Sequence, residues 1–345
     1  MHPEWLVGGV MVAALVLYAL LGGADFGGGV WDLLASGPRK REQRALIERV
    51  MGPIWEANHV WLILAVVLLF TAFPPAFAAI SVALHVPLTL FLLGVVFRGS
   101  AFSFRSYDAR GDRQQKRWGF VFSLASVIAP LLLGMIVGAV ASGRIRVASG
   151  VVTSGFFAPW LSLFPVVVGL FALSLFAYLA AVYLTNEATD PALVDDFRRR
   201  ALASGCVVAG LALASFAASF EGAPLIREGL TDHPITWPLH VTTGLAATAA
   251  FVGLWTRRYG LARVAAAAQV ALILLGWAAS QYPYLVVPDV TVEGAAANPV
   301  TLRLVLWALG AGSLLLFPSL YVLFRVFGSG RAGAASTGAG DHERE

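Results

Sequence analysis

Nine runs of predominantly apolar residues, each near the roughly 20 residues a helix needs to cross a bilayer, recur along the 345-residue chain. They lie at about 5–34, 53–73, 77–97, 119–141, 158–184, 201–220, 237–256, 262–280 and 303–327. Only helices and closed barrels satisfy every backbone N–H and C=O in lipid. The runs lack the short alternating segments of barrel strands, so the sequence predicts an all-α, polytopic membrane protein. Its nine transmembrane helices are expected to group as two four-helix bundles plus one peripheral helix, forming a single domain over 1–327. Composition excludes the soluble alternative. Hydrophobic residues make up 58% of the chain and charged ones only 13%, against about 25% charged in soluble domains. Such a chain could not cover its own surface with polar groups.

The basic residues settle what the net charge of +4 means. They fall in short clusters between apolar runs, the pattern of a topology signal and not of a nucleic-acid surface. Arg39, Lys40, Arg41, Arg44 and Arg49 follow the first run, and Arg98 to Arg117 follow the third. Arg198 to Arg200, Arg257 to Arg263 and the C-terminal arginines complete a set of 20 of the 24 Lys and Arg on one side. The other side holds Arg144, Arg146, Arg227 and Arg303. Positive-inside bias therefore predicts an outside N-terminus and a cytoplasmic C-terminus. The segment 328–345, rich in Gly and Ala, is expected to be a disordered cytoplasmic tail. The first run has no basic n-region and is read as a retained helix, not a cleaved signal. Pro87, Pro130 and Pro165 are expected to kink their helices, and 284–302 is read as an outer loop. Trp5, Trp160, Trp237 and Tyr282 stand near helix ends, as interfacial aromatics do. The single cysteine, Cys206, excludes an internal disulfide and is expected to be a buried packing thiol.

Acids inside membrane spans are costly and therefore functional candidates. Two qualify: Asp25 in the glycine-rich segment 22–29, and Glu56 in the segment PIWEANHVW at 53–61. The helix rise puts Asp25 about 30 Å and Glu56 about 25 Å from the N-terminal-side surface. Both thus come out at a similar level in the cytoplasmic half, where they could relay protons from inside. The competing expectation is that both merely pair with Arg39 to Arg49 at a helix mouth.

The glycine cluster follows an apolar helix and not a strand, which argues against a phosphate-binding loop. The spacing Gly23-x-x-x-Gly27 would let helices approach closely, or let the first helix loosen around Asp25. His59, His85 and His240 lie at different depths, so bis-histidine haem ligation within this chain is not expected. His59 is read as a hydrogen-bonding neighbour of Glu56.

At these residues the sequence resembles subunit II of the cytochrome bd-type quinol oxidases, including the cyanide-insensitive group. The resemblance rests on GADFGGGVWDLL at 23–34, PIWEANHVWLI at 53–63 and FRGSAFSFRS at 97–106. The segment Tyr282-Pro283-Tyr284 is a weaker echo. It implies a heterodimer in a bacterial inner membrane that reduces oxygen to water with quinol electrons. Subunit I of the family carries b-type and d-type haems and most of the quinol site. Subunit II holds no haem of its own and contributes to cytoplasmic proton delivery; a structural quinone or lipid, and a small single-helix accessory subunit, occur in some members. Carried over residue by residue, Glu56 and Asp25 match the proton-transfer acids, with Trp55, Asn58 and His59 supporting that path. Gly23, Gly27, Trp61, Arg98 and Arg105 match positions at the subunit interface or in the structural frame. Ser103 stands where the third motif often has an acid, so no role for an acid carries over there.

A second hypothesis, from another class, is a secondary transporter with a Gly-broken helix and intramembrane carboxylates. It requires a repeat of that device in the second half, and the fifth to eighth runs offer no acid matching Asp25 or Glu56.

Overall fold

A computed structural model describes residues 2–51, 55–107, 112–232 and 236–333; the side chains at 51, 55, 105–107, 112–116 and 323–333 lie outside that description. The chain forms α1 (Pro3–Leu33), α2 (Lys40–Met51), α3 (Trp55–Ala72), α4 (Pro74–Ala83), α5 (His85–Tyr107) and α6 (Asp112–Ala141). A hairpin of β1 (Val147–Ala148) and β2 (Val151–Val152) leads to α7 (Leu163–Glu187) and α8 (Pro191–Gly222). Then come α9 (Pro224–Thr231), α10 (Thr236–Trp255) and α11 (Tyr259–Gln281). A second hairpin, β3 (Tyr284–Val286) and β4 (Val290–Thr291), precedes α12 (Val292–Ala295) and α13 (Pro299–Gly333).

Among the described residues seven helices are each long and apolar enough to cross a membrane, and nine spans result if each of two bent pairs is one span. The first group is α1, α3, α5 and α6; the second is α7, α8, α10 and α11, joined to the first where α1 and α6 meet α7. Helix α13 lies against α1 and α3 with most of its surface exposed, the peripheral helix of the expectation.

The third span differs from its expected bounds. Helix α3 stops at Ala72, and Pro74 and Pro75 start α4 at an angle of 116° to it. A proline lacks the N–H that would continue α3 and pushes the preceding residue out of helical geometry. The long helix therefore begins only at His85 and extends to Tyr107, later than the 77–97 run. The same shift puts Pro87 in the first turn of α5, and Pro165 falls in the first turn of α7, where the backbone needs no intrahelical acceptor. Of the three prolines expected to kink helices, only Pro130 lies inside one. The segment read as an outer loop contains β3, β4 and α12. Helix α13 runs on through Gly333, and the rest of the tail expected to be disordered, 334–345, lies outside the described residues.

Helix α1 is continuous through its glycine cluster, so it is neither loosened around Asp25 nor broken. The glycines serve close approach instead. A Cβ at Gly27 would run into the Phe176 carbonyl of α7, at Gly23 into the Phe176 ring, and at Gly29 into Ser126 of α6. Lipid tails provide no hydrophobic drive between helices, so contact of this kind and interhelical hydrogen bonds hold the bundle. Trp31 Nε1 donates to the Ala177 carbonyl of α7 at 2.7 Å beside them.

At the basic end, α2 packs on α1 and α7 and buries Leu46 and Ile47. Arg39 donates through Nε and Nη2 to both carboxylate oxygens of Asp196 at 2.8 and 2.6 Å. Gln43 donates to Asp196 at 3.0 Å and accepts from Arg200 at 2.8 Å. At the opposite end Arg146 holds Asp289 through two bonds of 2.8 and 3.1 Å, and the Val147 N–H adds a third at 2.8 Å. This clasp joins the two hairpins. Cys206, expected to be buried, is exposed on the side of α8 that also exposes Gly210 and Leu213.

Candidate functional site

Burial alternates along α3 with the helical repeat. Asn58, Trp61, Ala65, Leu68 and Ala72 are buried, while Glu56, Val60, Ile63, Val67 and Phe70 are exposed. Two residues along a helix are about 200° apart, so Glu56 and Asn58 point to opposite sides. The fold therefore does not bring the two expected acids together. Asp25 is only 2% exposed within the bundle, and Glu56 stands on the outward stripe of α3.

Asp25 has its own partners. Asn58 Nδ2 donates to Asp25 Oδ2 at 2.5 Å. Arg98, itself 2% exposed, acts on this carboxylate through space and makes no ion pair with it. Arg98 lies over the rings of Phe26 and Phe122, 4.9 and 5.1 Å from their centroids, and its Nε donates to Ser126 Oγ at 3.1 Å. A buried charge is costly unless neighbours offset it; for Arg98 these are two ring faces and one hydroxyl, and for Asp25 the amide of Asn58. His59 Nδ1 lies 3.4 Å from the Tyr18 hydroxyl, and the His59 ring meets Phe26 edge-on.

A second buried acid escaped the sequence reading. Asp32 is 1% exposed, accepts from Ser123 Oγ at 2.8 Å and faces Arg44 at 3.7 Å. Arg44 also donates to the Asp32 carbonyl at 3.0 and 3.2 Å. The signal was present: Asp32 follows Asp25 by seven residues, which is two turns along one face of α1. The alternative expectation, that Asp25 and Glu56 pair with Arg39 to Arg49, fails for Asp25, which bonds Asn58; the acid that faces this cluster through Arg44 is Asp32.

The remaining candidates divide clearly. Gly23 and Gly27 are covered by α7 of the same chain, and Trp61 is buried, so these three serve internal packing. Arg98 is equally internal. The side chains of Trp55 and Arg105 lie outside the described residues. His85 shares a hydrogen bond with the Val82 carbonyl at 3.0 Å and His240 with the Leu230 carbonyl at 3.1 Å. Among the described residues no three His, Cys, Asp or Glu side chains converge on a common point.

An unbroken first helix removes the device on which the transporter hypothesis rests. What remains is a helical membrane protein with a carboxylate and a guanidinium buried in one half and a second carboxylate left on an outward face. Residues 4–327 match the family model of cytochrome bd terminal oxidase subunit II, and the chain belongs to that family. It is 24% identical over 324 residues to the putative cytochrome bd menaquinol oxidase subunit II of Bacillus subtilis, covering 90% of this chain and 91% of the relative. It is 32% identical over 139 residues to the cytochrome bd-I ubiquinol oxidase subunit 2 of Escherichia coli K12, covering 40% of this chain and 35% of the relative. The fold matches a chain of the bd oxidase from Geobacillus thermodenitrificans with a TM-score of 0.75 at 23% identity, covering 95% of this chain and 99% of that one. The protein is thus a subunit of a terminal oxidase in a bacterial inner membrane, and as subunit II it works with a subunit I.

Proposed function

We propose that Glu56 hands protons across the boundary between this chain and subunit I, toward the oxygen-reducing centre of the complex. The observation that carries this reading is the position of Glu56. A carboxylate on the same outward stripe as Val60, Ile63 and Val67 would be costly against lipid, so a protein partner covers it. Helices α1 to α6 then form the main contact with the partner, and Asp25 is linked to that boundary through Asn58.

The haems and most of the quinol site belong to subunit I in this reading, and Glu56 supplies protons without touching the electrons. Two quinols reduce one O₂ to two waters, and the four protons consumed must reach a centre surrounded by lipid and protein. The basic side of the chain faces the cytoplasm and the N-terminus lies outside, as positive-inside bias requires. Glu56 therefore draws on cytoplasmic water.

Glu56→Gln keeps the shape and hydrogen-bonding capacity but removes the titratable proton. The purified complex is expected to keep its haem content and its reduction by quinol, while steady-state oxygen consumption falls tenfold or more. Unchanged oxygen consumption at full haem content would overturn the proposal.

A further inference from the structure

The first turn of α3 carries two side chains with opposite destinations. Glu56 goes outward, while Asn58 is 4% exposed and turns back to Asp25 on α1. A helix of apolar residues has little to fix its rotation, because lipid and neighbouring helices are equally apolar. Along α3 the buried positions after Asn58 are Trp61, Ala65, Leu68 and Ala72, which pack but accept small rotations. The Asn58–Asp25 bond is directional, and Asp25 lies on α1, whose Gly23 and Gly27 pack closely against α7. Arg98, which acts on Asp25 through space without an ion pair, is in turn held by Ser126 Oγ and two aromatic rings. An anchored α1 thus meets α3 through one directional hydrogen bond.

We infer that Asp25, Arg98 and Asn58 form a lock on the rotation of α3 that aims Glu56 at the partner subunit, with Asp25 acting as a positioning residue and not as a second proton carrier. The inference rests on the reading of Glu56 as the carboxylate that passes protons. It explains why an acid buried beside a fixed cation accompanies one left on the surface. Asp25 is tied to Asn58 and balanced by Arg98, and the exposed group is the one free to exchange with water and with the partner.

The test uses the assembled two-subunit complex, with oxygen consumption expressed per haem and compared in H₂O and D₂O. Asn58→Leu leaves both Asp25 and Arg98 in place but removes the bond to α3. It is expected to lower turnover tenfold or more at normal haem content and to enlarge the solvent isotope effect, which a purely structural defect would not do. Asp25→Asn still offers Asn58 an amide oxygen, so its turnover should fall less than that of Asn58→Leu. Where Asp25→Asn leaves Arg98 unbalanced and the complex does not assemble, the exchange Asp25→Asn with Asn58→Asp decides. It keeps one carboxylate in the pocket and reverses the hydrogen bond. Recovery of turnover in the exchange supports the lock, and turnover as low as in Asn58→Leu overturns it. Full turnover in Asn58→Leu, or a loss in assembled Asp25→Asn as deep as in Glu56→Gln, also overturns it. Measured alongside, Glu56→Gln separates the two readings. If it keeps full turnover the proton-transfer proposal falls, and if it loses turnover while Asn58→Leu does not, only the lock falls.

Discussion

The two four-helix groups of this subunit treat polar residues in different ways. In the first, charges are buried inside the spans and held across helices: Asp25 by Asn58, Arg98 by Ser126, and Asp32 by Ser123 and Arg44. In the second, buried hydroxyls mostly bond backward to their own helix, as Thr185 does to Ala181, Ser204 to Arg200 and Ser219 to Phe216. Charged contacts there lie at helix ends, as between Arg39 and Asp196. A hydroxyl satisfied by its own helix constrains no neighbour, whereas a charge shared between helices fixes their relation. The second group therefore packs and supports, and the first sets geometry at the level of individual atoms.

Variants can break or sharpen this contrast. The largest effect is expected from Arg98→Leu, which leaves the Asp25 charge buried without its cation. Leaving a buried charge uncompensated costs about 3–5 kcal/mol, so the assembled complex should lose most of its thermal stability in detergent. Survival of a fully stable complex would show that water or the partner balances Asp25. Gly27→Val comes next, because the new side chain meets the Phe176 carbonyl where the two groups touch. Overpacking of this kind costs about 1–3 kcal/mol, and the midpoint of thermal inactivation should fall accordingly.

Arg146→Ala tests the clasp between hairpins, remote from either group's interior. Burial tends to raise the Asp289 carboxyl, but the Arg146 pair and the Val147 N–H outweigh it and hold the group below its ordinary value, which is about 3.9. A carboxyl depressed on folding contributes stability above its unfolded pKa, and that contribution is lost as pH falls through the folded pKa. With Arg146 60% exposed, the pair is worth about 1 kcal/mol at most. The stability difference between wild type and Arg146→Ala should thus be present at pH 6 and shrink below pH 4. A difference independent of pH would point to packing in its place. Smallest is Gln269→Leu in α11 of the second group. Gln269 is buried, and its Oε1 has no hydrogen-bond partner among the described residues. Replacing an unsatisfied buried amide by an apolar side chain is close to neutral, so a stability change within about 0.5 kcal/mol is expected. A large loss there would mean that the second group also contains a polar lock.

The fold was largely legible in the sequence. Apolar length and the placement of Lys and Arg are local properties, and the bilayer rewards them almost independently of neighbours. Where the reading slipped, a local breaker competed with hydropathy: Pro74 and Pro75 turn an apolar stretch into α4 and delay α5 to His85. The site was legible in its residues but not in their grouping. Asp25 and Glu56 could be singled out because charge is expensive in lipid, and Asn58 and Arg98 because they fall in the motifs that carry the family resemblance. That Asp25 joins Asn58 and Arg98 while Glu56 faces away could not be read from depth along the axis. Depth follows from residue count, and direction around the axis does not.

By itself, then, the sequence determined that the chain crosses the membrane repeatedly as helices, that its glycines could bring α1 close to a neighbour, and that two acids lay deep enough to matter. Each follows from the cost of polar groups in hydrocarbon, which acts residue by residue. Only the tertiary structure decided which neighbour that was, Phe176 of α7, and which way α3 turns. Apolar helices in an apolar solvent have many rotations of nearly equal energy, and a few directional contacts between distant residues, such as Asn58 to Asp25, select one of them.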